Sequence, residues 1–270
     1  MSGGPSRLLT IAGSDPSGGA GIQADLATFA VHGAYGMSVV TAVTVQSTVA
    51  AGPVHLEPAE LVGAQLDAVL GDLGVDAVKT GMLGGADVVA TVAERLAALE
   101  GVPVVVDPVF ASSLGRALLD EQGIAALRSR LAPLATLLTP NLPEAERLAG
   151  RSAASAGERA ELARELGGGR CAVLLKGGHA PGDEIVDLLW DGSVIREIRH
   201  QRIATRAGHG TGCALSAAVA ARLGRGERLE AACRGAVEWV SGALAQAQPL
   251  GAGSGPLDVL WTWRLEGRCA

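Results

Sequence analysis

The chain has few aromatic residues and no cluster of basic ones. Aromatics make up 3% of its 270 residues, and the formal net charge is −6. Nucleic-acid binding relies on a positively charged surface and, for single strands, on aromatic side chains that stack on bases. We therefore expect no nucleic-acid partner.

Cysteines are sparse as well. The four cysteines, at positions 171, 213, 233 and 269, contain no Cys-x-x-Cys pair, so neither a zinc site nor a disulfide framework is indicated. The N-terminus lacks the apolar core of a signal peptide, and no apolar run approaches the roughly 20 residues that cross a bilayer. These absences predict a cytoplasmic protein with no membrane partner.

Apolar residues, in contrast, make up 48% of the sequence, enough for a substantial core. Short β-rich runs alternate with stretches rich in Ala, Leu and Glu, which is the pattern of βαβ units around a mostly parallel sheet. We predict strands at residues 8–12, 38–45, 77–80, 102–106, 137–139 and 172–175, then a hairpin from 186–189 to 194–203 with a two-residue turn, Asp191-Gly192. Predicted helices cover 20–31, 58–70, 86–99, 121–131, 143–148, 156–166, 211–223 and 229–246.

This pattern predicts one domain over residues 8–257. Residues 1–7 are expected to be disordered, and 258–270 to form a C-terminal tail in which Trp261 and Trp263 are compatible with an extra helix.

A glycine-rich turn, Gly210-Thr211-Gly212-Cys213, precedes one of the predicted helices. The N-terminus of a helix offers unpaired N–H groups and a partial positive charge, which favour an anion such as a phosphate. The same charge is expected to lower the pKa of Cys213. The alternative is an ordinary turn with Cys213 as a small buried residue.

A second glycine-rich loop, residues 13–25, follows the first strand. Part of it, residues 19–24, matches a relaxed dinucleotide-binding pattern, but the second strand carries no acidic residue for a ribose, which argues against a dehydrogenase. The loop is compatible with a small polar ligand held by Asp25 and Gln46. A solvated helix residue is an equally good interpretation of Asp25.

Further candidate residues follow other strands, at the sheet edge where open α/β sheets bind ligands. The polar ones are Lys79, Asp107, Asn141, Glu144 and Lys176, and the apolar Met82 and Val109 lie in the same segments as Lys79 and Asp107. Asp107 could organise Mg²⁺ through water, and since a Walker A loop is absent, a phosphate donor needs other contacts. Simpler roles remain open: Asp107 as a turn cap, Asn141 and Glu144 as a capping box, and Lys176 as a solvated charge. Among the histidines, only His209 lies beside the anion loop.

With these motifs, the chain resembles the hydroxymethylpyrimidine and phosphomethylpyrimidine kinases of thiamine biosynthesis, within the ribokinase-like superfamily. The resemblance runs from Leu9 to Leu257. It implies a single ribokinase-like α/β domain with helices on both faces of a mostly parallel sheet, and a homodimer. It also implies that Mg-ATP phosphorylates 4-amino-5-hydroxymethyl-2-methylpyrimidine and then its monophosphate.

The resemblance also implies roles for the residues that match the family's motifs. Cys213 resembles the catalytic base, and Gly210, Thr211 and Gly212 complete the anion hole. The pyrimidine is expected to contact Asp25, Gln46, Gly13, Met82 and Val109. Lys176, Asn141 and Glu144 correspond to the ATP site, and Asp107 with Glu144 to the water-mediated Mg²⁺ site.

Two segments depart from the family pattern. Leu114 and Arg116 replace a hydroxyl and a carboxylate, and Ala207-Gly208 replaces two polar residues, so ATP affinity or the second phosphorylation could differ. A lid of inserted strands is not visible, which leaves closure to loops such as 110–116 or 179–184.

Two other functions stay open. Pyridoxine or pyridoxal kinase is the alternative within the same class of enzyme, although Gln46 and Met82 favour the pyrimidine. A non-catalytic vitamin- or nucleotide-binding protein on the same fold is the alternative in another class, and the presence of Cys213 and Lys176 argues against it.

Overall fold

The computed structural model describes residues 4–112, 115–178 and 182–268. These residues build a nine-stranded sheet with the order β3-β2-β1-β4-β5-β6-β7-β8-β9. The strands are β1 (Arg7–Ser14), β2 (Tyr35–Gln46), β3 (Ala51–Leu56), β4 (Ala77–Thr80), β5 (Val104–Val106), β6 (Leu137–Leu138), β7 (Ala172–Leu175), β8 (Glu184–Trp190) and β9 (Ile195–Gln201). The six strands from β2 to β7 in this order are parallel, whereas β3, β8 and β9 run antiparallel to their neighbours.

Helices cover both faces of the sheet, as predicted. They are α1 (Gly21–Val31), α2 (Ala59–Asp72), α3 (Ala86–Leu96), α4 (Glu121–Ala126), α5 (Leu142–Ala149), α6 (Ala156–Gly167), α7 (Thr211–Gly224), α8 (Leu229–Gln246) and α9 (Trp261–Leu265). A π-turn at Leu127–Leu131 extends α4.

Two apolar cores lie on opposite faces of the sheet because side chains alternate along each strand. Leu9 and Ile11 of β1 join the core beneath α2 to α6, whereas Leu8 joins the core beneath α1, α7 and α8. Helix α7 is apolar and buried on most of its surface, since it packs between the sheet and its two neighbours. Its N-terminus is thereby held at the carboxyl ends of the parallel strands.

The structure corrects the prediction at the two ends of the sheet. Strand β3 was missed, because Pro53 argues against a strand, but β3 is an edge strand, where proline is tolerated. That closure falls to loops, and not to a lid of inserted strands, stays a prediction. The β8–β9 turn has four residues, because Trp190 pairs with Ile195 and the Asp191 side chain accepts from the backbone of Ser193 and Val194.

The chain ends also differ in detail from the expectation. β1 begins at Arg7, which pairs with Asp76, so order starts within the segment expected to be disordered. Trp261 opens the extra helix α9, and its Nε1 donates to the backbone oxygen of Trp239 in α8 at 3.1 Å. Across the described residues, the helices are too short or too polar for a membrane span.

Candidate active site

A cavity of about 620 Å³ opens at the carboxyl ends of the parallel strands. All but one of the predicted site residues line it: Gly13, Gln46, Met82, Asp107, Val109, Asn141, Glu144, Lys176, Gly210, Thr211, Gly212 and Cys213. The exception is Asp25. Residues up to 200 positions apart in sequence therefore share one space, as their common sheet edge predicted.

The two glycine-rich loops pack against each other at the base of this cavity. Gly210 has a φ of +79° and precedes the first residue of α7, and a Cβ here would collide with the carbonyl oxygen of Gly19. Among the described side chains none caps α7. The Thr211 amide donates to the backbone oxygen of Gly208, and the next two amides of the first turn, at Gly212 and Cys213, are left for a ligand in the cavity.

Cys213 does not have the lowered pKa that its place at a helix N-terminus predicts. Burial raises the pKa of its thiol to about 11, and the carboxylates of Asp25 and Asp107 act in the same direction. Lys79 and the backbone N–H of Gly21 oppose them without reversing the shift. With a pKa of about 11, Cys213 is a thiol at neutral pH.

Asp25 lies behind the cavity wall and is fully buried. Thr10 Oγ1 donates to its Oδ2 at 2.6 Å, and Lys79 Nζ donates to the same oxygen at 2.8 Å. Asp25 faces Lys79 and does not line the cavity, so its contact with the substrate stays a prediction.

Lys79 is the functional candidate that the sequence prediction left without a role. It lines the cavity although its side chain is fully buried, in the buried strand β4. Burial lowers its pKa, but the negative charges of Asp25 and Asp107 outweigh this, so the pKa is raised and the ammonium is kept. A lysine within a buried strand is rare unless it is paired, and that was the available signal.

On the other side of the cavity, Lys176 joins two carboxylates. Its Nζ donates to Asp107 Oδ1 at 3.0 Å and lies 3.9 Å from Glu144 Oε2. A Cβ on Gly212 would come within 3.3 Å of the same Nζ. The lysine ammonium therefore lies beside the amides of α7, where a phosphate would meet both.

Asn141 and Glu144 form the capping box that we considered as their structural role. Asn141 Oδ1 accepts from the backbone of Glu144 at 2.9 Å, and Glu144 Oε2 accepts from the backbone of Asn141 at 2.7 Å. Both also line the cavity. Burial, with a contribution from Asp107, raises the pKa of Glu144 to about 7 against the opposing effect of Lys176.

Gln46, Met82 and Gly13 form the end of the cavity nearest β1 and β2. A Cβ on Gly13 would approach Met82 Sδ to 3.1 Å, so the methionine packs directly on the glycine. Gln46 contacts the ring of His209, which in turn contacts Asp15. Asp15 also lines the cavity and was not among the predicted site residues.

The chain is similar to known proteins over nearly its whole length. The family model described as phosphomethylpyrimidine kinase matches residues 15–258. The chain belongs to this family. It is 48% identical over 258 residues to the hydroxymethylpyrimidine/phosphomethylpyrimidine kinase of Streptomyces coelicolor, a match that covers 95% of both chains.

This phosphomethylpyrimidine kinase family member is also similar to a longer protein and to a solved structure. It is 44% identical over 252 residues to the thiamine biosynthesis bifunctional protein ThiED of Geobacter sulfurreducens, covering 93% of this chain but only 51% of that longer protein. Its fold is similar to that of the pyridoxal kinase from Staphylococcus aureus in complex with AMP-PCP and pyridoxal, with a TM-score of 0.89 and 32% identity, covering 97% and 96% of the two chains.

The described residues that depart from the family's pattern are Arg116, Ala207 and Gly208. Arg116 donates to the backbone oxygen of Gly52 and so ties the segment after β5 to the edge strand β3. Leu114 lies outside the described residues, as does part of the 179–184 loop. Ala207 is buried and Gly208 lines the cavity without a side chain.

Proposed function

We propose that the protein transfers the γ-phosphoryl group of ATP to the hydroxymethyl group of 4-amino-5-hydroxymethyl-2-methylpyrimidine, and then phosphorylates the monophosphate to the diphosphate. The observation that carries this proposal is the arrangement of Cys213 and Lys176. Both border the uncapped N-terminus of α7, inside the one cavity that also contains Gln46 and Met82.

The residues can be assigned to the steps of phosphoryl transfer. Charge on the transferring group is met by the amides of Gly212 and Cys213 and by the ammonium of Lys176. The sulfur of Cys213 accepts the proton of the attacking hydroxyl. Cys213 must lose its own proton before it accepts this one. The ammonium of Lys79, which donates to Asp25, stabilises the resulting thiolate.

Asp107 and Glu144 would hold Mg²⁺ through water, and the ion would supply charge neutralisation at the ATP phosphates. Among the described side chains, no group of three or more His, Cys, Asp or Glu residues converges to hold a metal. Mg²⁺ fits nonetheless, because it keeps several waters and usually binds one or two carboxylates together with substrate phosphates.

Turnover with separate substrates tests the function. ADP release from Mg-ATP is measured with hydroxymethylpyrimidine, its monophosphate and pyridoxal. We expect turnover of both pyrimidines and its loss in Cys213→Ala. Cys171→Ala is the control, because Cys171 is buried in the other core and away from this cavity.

Pyridoxal kinase is the second candidate, favoured by the similarity to the Staphylococcus aureus enzyme. If the protein phosphorylates pyridoxal and neither pyrimidine, pyridoxal takes the place of the pyrimidine as the substrate. A Cys213→Ala variant as active as the wild type would rule out the proposed base.

The pH dependence gives a further check on Cys213. A base must be deprotonated before it accepts a proton, and the thiol pKa is raised to about 11. We therefore expect kcat/KM for the pyrimidine to rise steadily from pH 7 to pH 9, by up to about tenfold per pH unit. A flat profile would show that the thiolate is not required.

We further propose that the protein is a cytoplasmic homodimer. Supporting this, β2 and the connection to β3 expose a group of valines at one end of the sheet: Val43, Val45 and Val49, which are 47%, 63% and 62% exposed. A group of exposed apolar side chains is a common surface for contact between subunits.

A further inference from the structure

The ring of His209 lies between two polar side chains at the pyrimidine end of the cavity. Its Nε2 is 2.7 Å from Asp15 Oδ2. One terminal atom of the Gln46 amide, placed as nitrogen, lies 2.9 Å from the same ring nitrogen. The ring is itself held in place, because it packs against Gly19, where a Cβ would collide with it. The three side chains join the two glycine-rich loops to the end of β2.

The partners of Asp15 show that it is an acceptor. Its Oδ1 accepts from the backbone and the hydroxyl of Ser17 at 2.9 and 2.8 Å, and its Oδ2 accepts from the backbone of Ala20 at 2.9 Å. Burial raises the pKa of Asp15, but hydrogen bonds from His209 and Ser17 outweigh it and hold the pKa below its ordinary value. An ionised carboxylate at 2.7 Å requires that His209 Nε2 carry a proton and donate it.

This requirement decides the orientation of the Gln46 amide. The oxygen and nitrogen of an amide are told apart by their hydrogen bonds. A second N–H group facing the protonated Nε2 would be repelled, whereas an oxygen there shares the Nε2–H with Asp15. The amide oxygen therefore lies beside His209, and the NH₂ group is the one left for a ligand.

We propose, resting on the kinase function above, that Asp15 and His209 are positioning residues that present the Gln46 NH₂ group to the cavity as a donor. The site then selects a heteroaromatic substrate with a lone-pair nitrogen at that point. A ring carrying an N–H there is disfavoured, because two donors would face each other.

Replacement of the donor by an acceptor tests this orientation. Gln46→Glu keeps the shape of the side chain but turns an oxygen toward the cavity, and Gln46→Leu removes both polar atoms. Binding of hydroxymethylpyrimidine without ATP is measured by calorimetry at pH 8. We expect Gln46→Glu to weaken binding by about 10- to 100-fold, at least as much as Gln46→Leu. Affinity of Gln46→Glu equal to that of the wild type would overturn the proposal.

Variants of His209 separate positioning from a general structural effect. His209→Gln retains a donor for Asp15, whereas His209→Leu does not. We expect His209→Leu to raise the KM for the pyrimidine by about tenfold with the KM for ATP unchanged, and His209→Gln to restore most of the loss. An equal effect of both variants on both substrates would contradict a positioning role.

A measurement without substrate tests the same geometry. In ¹⁵N-histidine-labelled protein, the Nε2 resonance of His209, assigned with His209→Gln, should show a bound proton. A lone pair on Nε2 would overturn the inference. If the wild type binds no pyrimidine, the proposed kinase substrate fails, while this resonance still decides the amide orientation.

Discussion

Gly210 allows the two glycine-rich loops to lie in contact. Its φ of +79° is a left-handed conformation, and its missing Cβ leaves room for the carbonyl oxygen of Gly19. Gly226 has a similar φ of +84°, but a Cβ there would meet no atom within 4 Å. The two glycines differ only in the close contact, so they form a matched pair.

We predict that Gly226→Ala lowers the free energy of unfolding by about 1–2 kcal/mol, the cost of the left-handed backbone. Gly210→Ala should cost more than about 3 kcal/mol, because it adds a backbone collision. Urea denaturation of both variants measures the difference. Equal losses would show that the two loops are not in contact.

The pKa of Cys213 shows what cannot be predicted from neighbouring residues in the sequence. A helix N-terminus lowers a thiol pKa in general, but here burial beside carboxylates dominates. Neither the burial nor the neighbouring Asp25 and Asp107 can be inferred from the residues next to Cys213 in sequence. The position of Cys213 at the start of a helix was predictable, whereas its protonation state was not.

At the scale of elements, two capping boxes provide a comparison between stability and function. Asn141 with Glu144 opens α5 at the cavity, and Ser155 with Glu158 opens α6 away from it. The hydrogen bonds of the two boxes are alike. The two boxes differ in position, because only the first one lines the cavity.

We predict that Asn141→Ala and Ser155→Ala each lower the free energy of unfolding by about 1 kcal/mol. Only Asn141→Ala should also raise the KM for ATP, because it releases Glu144 beside Lys176. Urea titration and steady-state kinetics on both variants provide the check. A raised KM in Ser155→Ala would mean that loss of stability, and not the ATP site, causes the effect.

The elements themselves were largely predictable because their signals are local. The six parallel strands and helices α1 to α8 follow from hydrophobic periodicity, Gly and Pro punctuation and capping residues. Strand β3 was missed since an edge strand is defined by its partner β2 and not by its own composition. The β8–β9 turn was misjudged because Asp191 forms side-chain bonds that lengthen the loop.

At the scale of the whole molecule, His32 makes stability depend on pH. It is buried, lies edge-on to Trp239 at 4.8 Å, and burial lowers its pKa from 6.5 to about 4. The folded state therefore binds fewer protons than the unfolded state between these values. The stability contributed by neutral His32 is present above pH 6.5 and is lost as the pH falls toward 4.

We predict that the stability difference between wild type and His32→Gln changes by about 3 kcal/mol from pH 6.5 to pH 4. Glu144 acts in the opposite sense, because its raised pKa favours the folded state as the pH falls through 7. Its contribution is present in both proteins and cancels in the difference. Urea titrations across this pH range measure the difference. If the two proteins lose stability in parallel, the pKa of His32 is not lowered in the folded state.

The proposed dimer is a property of the whole molecule as well. We predict that the wild type sediments as a dimer and that Val45→Lys, in the exposed group of valines, sediments as a monomer. Val194→Lys is the control, since Val194 is 44% exposed in the β8–β9 turn at the other end of the sheet. A monomeric wild type would exclude the dimer.

The sequence by itself determined the α/β class, the positions of the parallel strands along the chain and the motifs that border the cavity, because periodicity and glycine-rich turns are local signals. The tertiary structure alone decided that Asp25 faces Lys79, that Cys213 is a thiol, and that His209 links Asp15 to Gln46. These outcomes depend on burial and on contacts between residues as far as 194 positions apart, which arise only when distant segments pack.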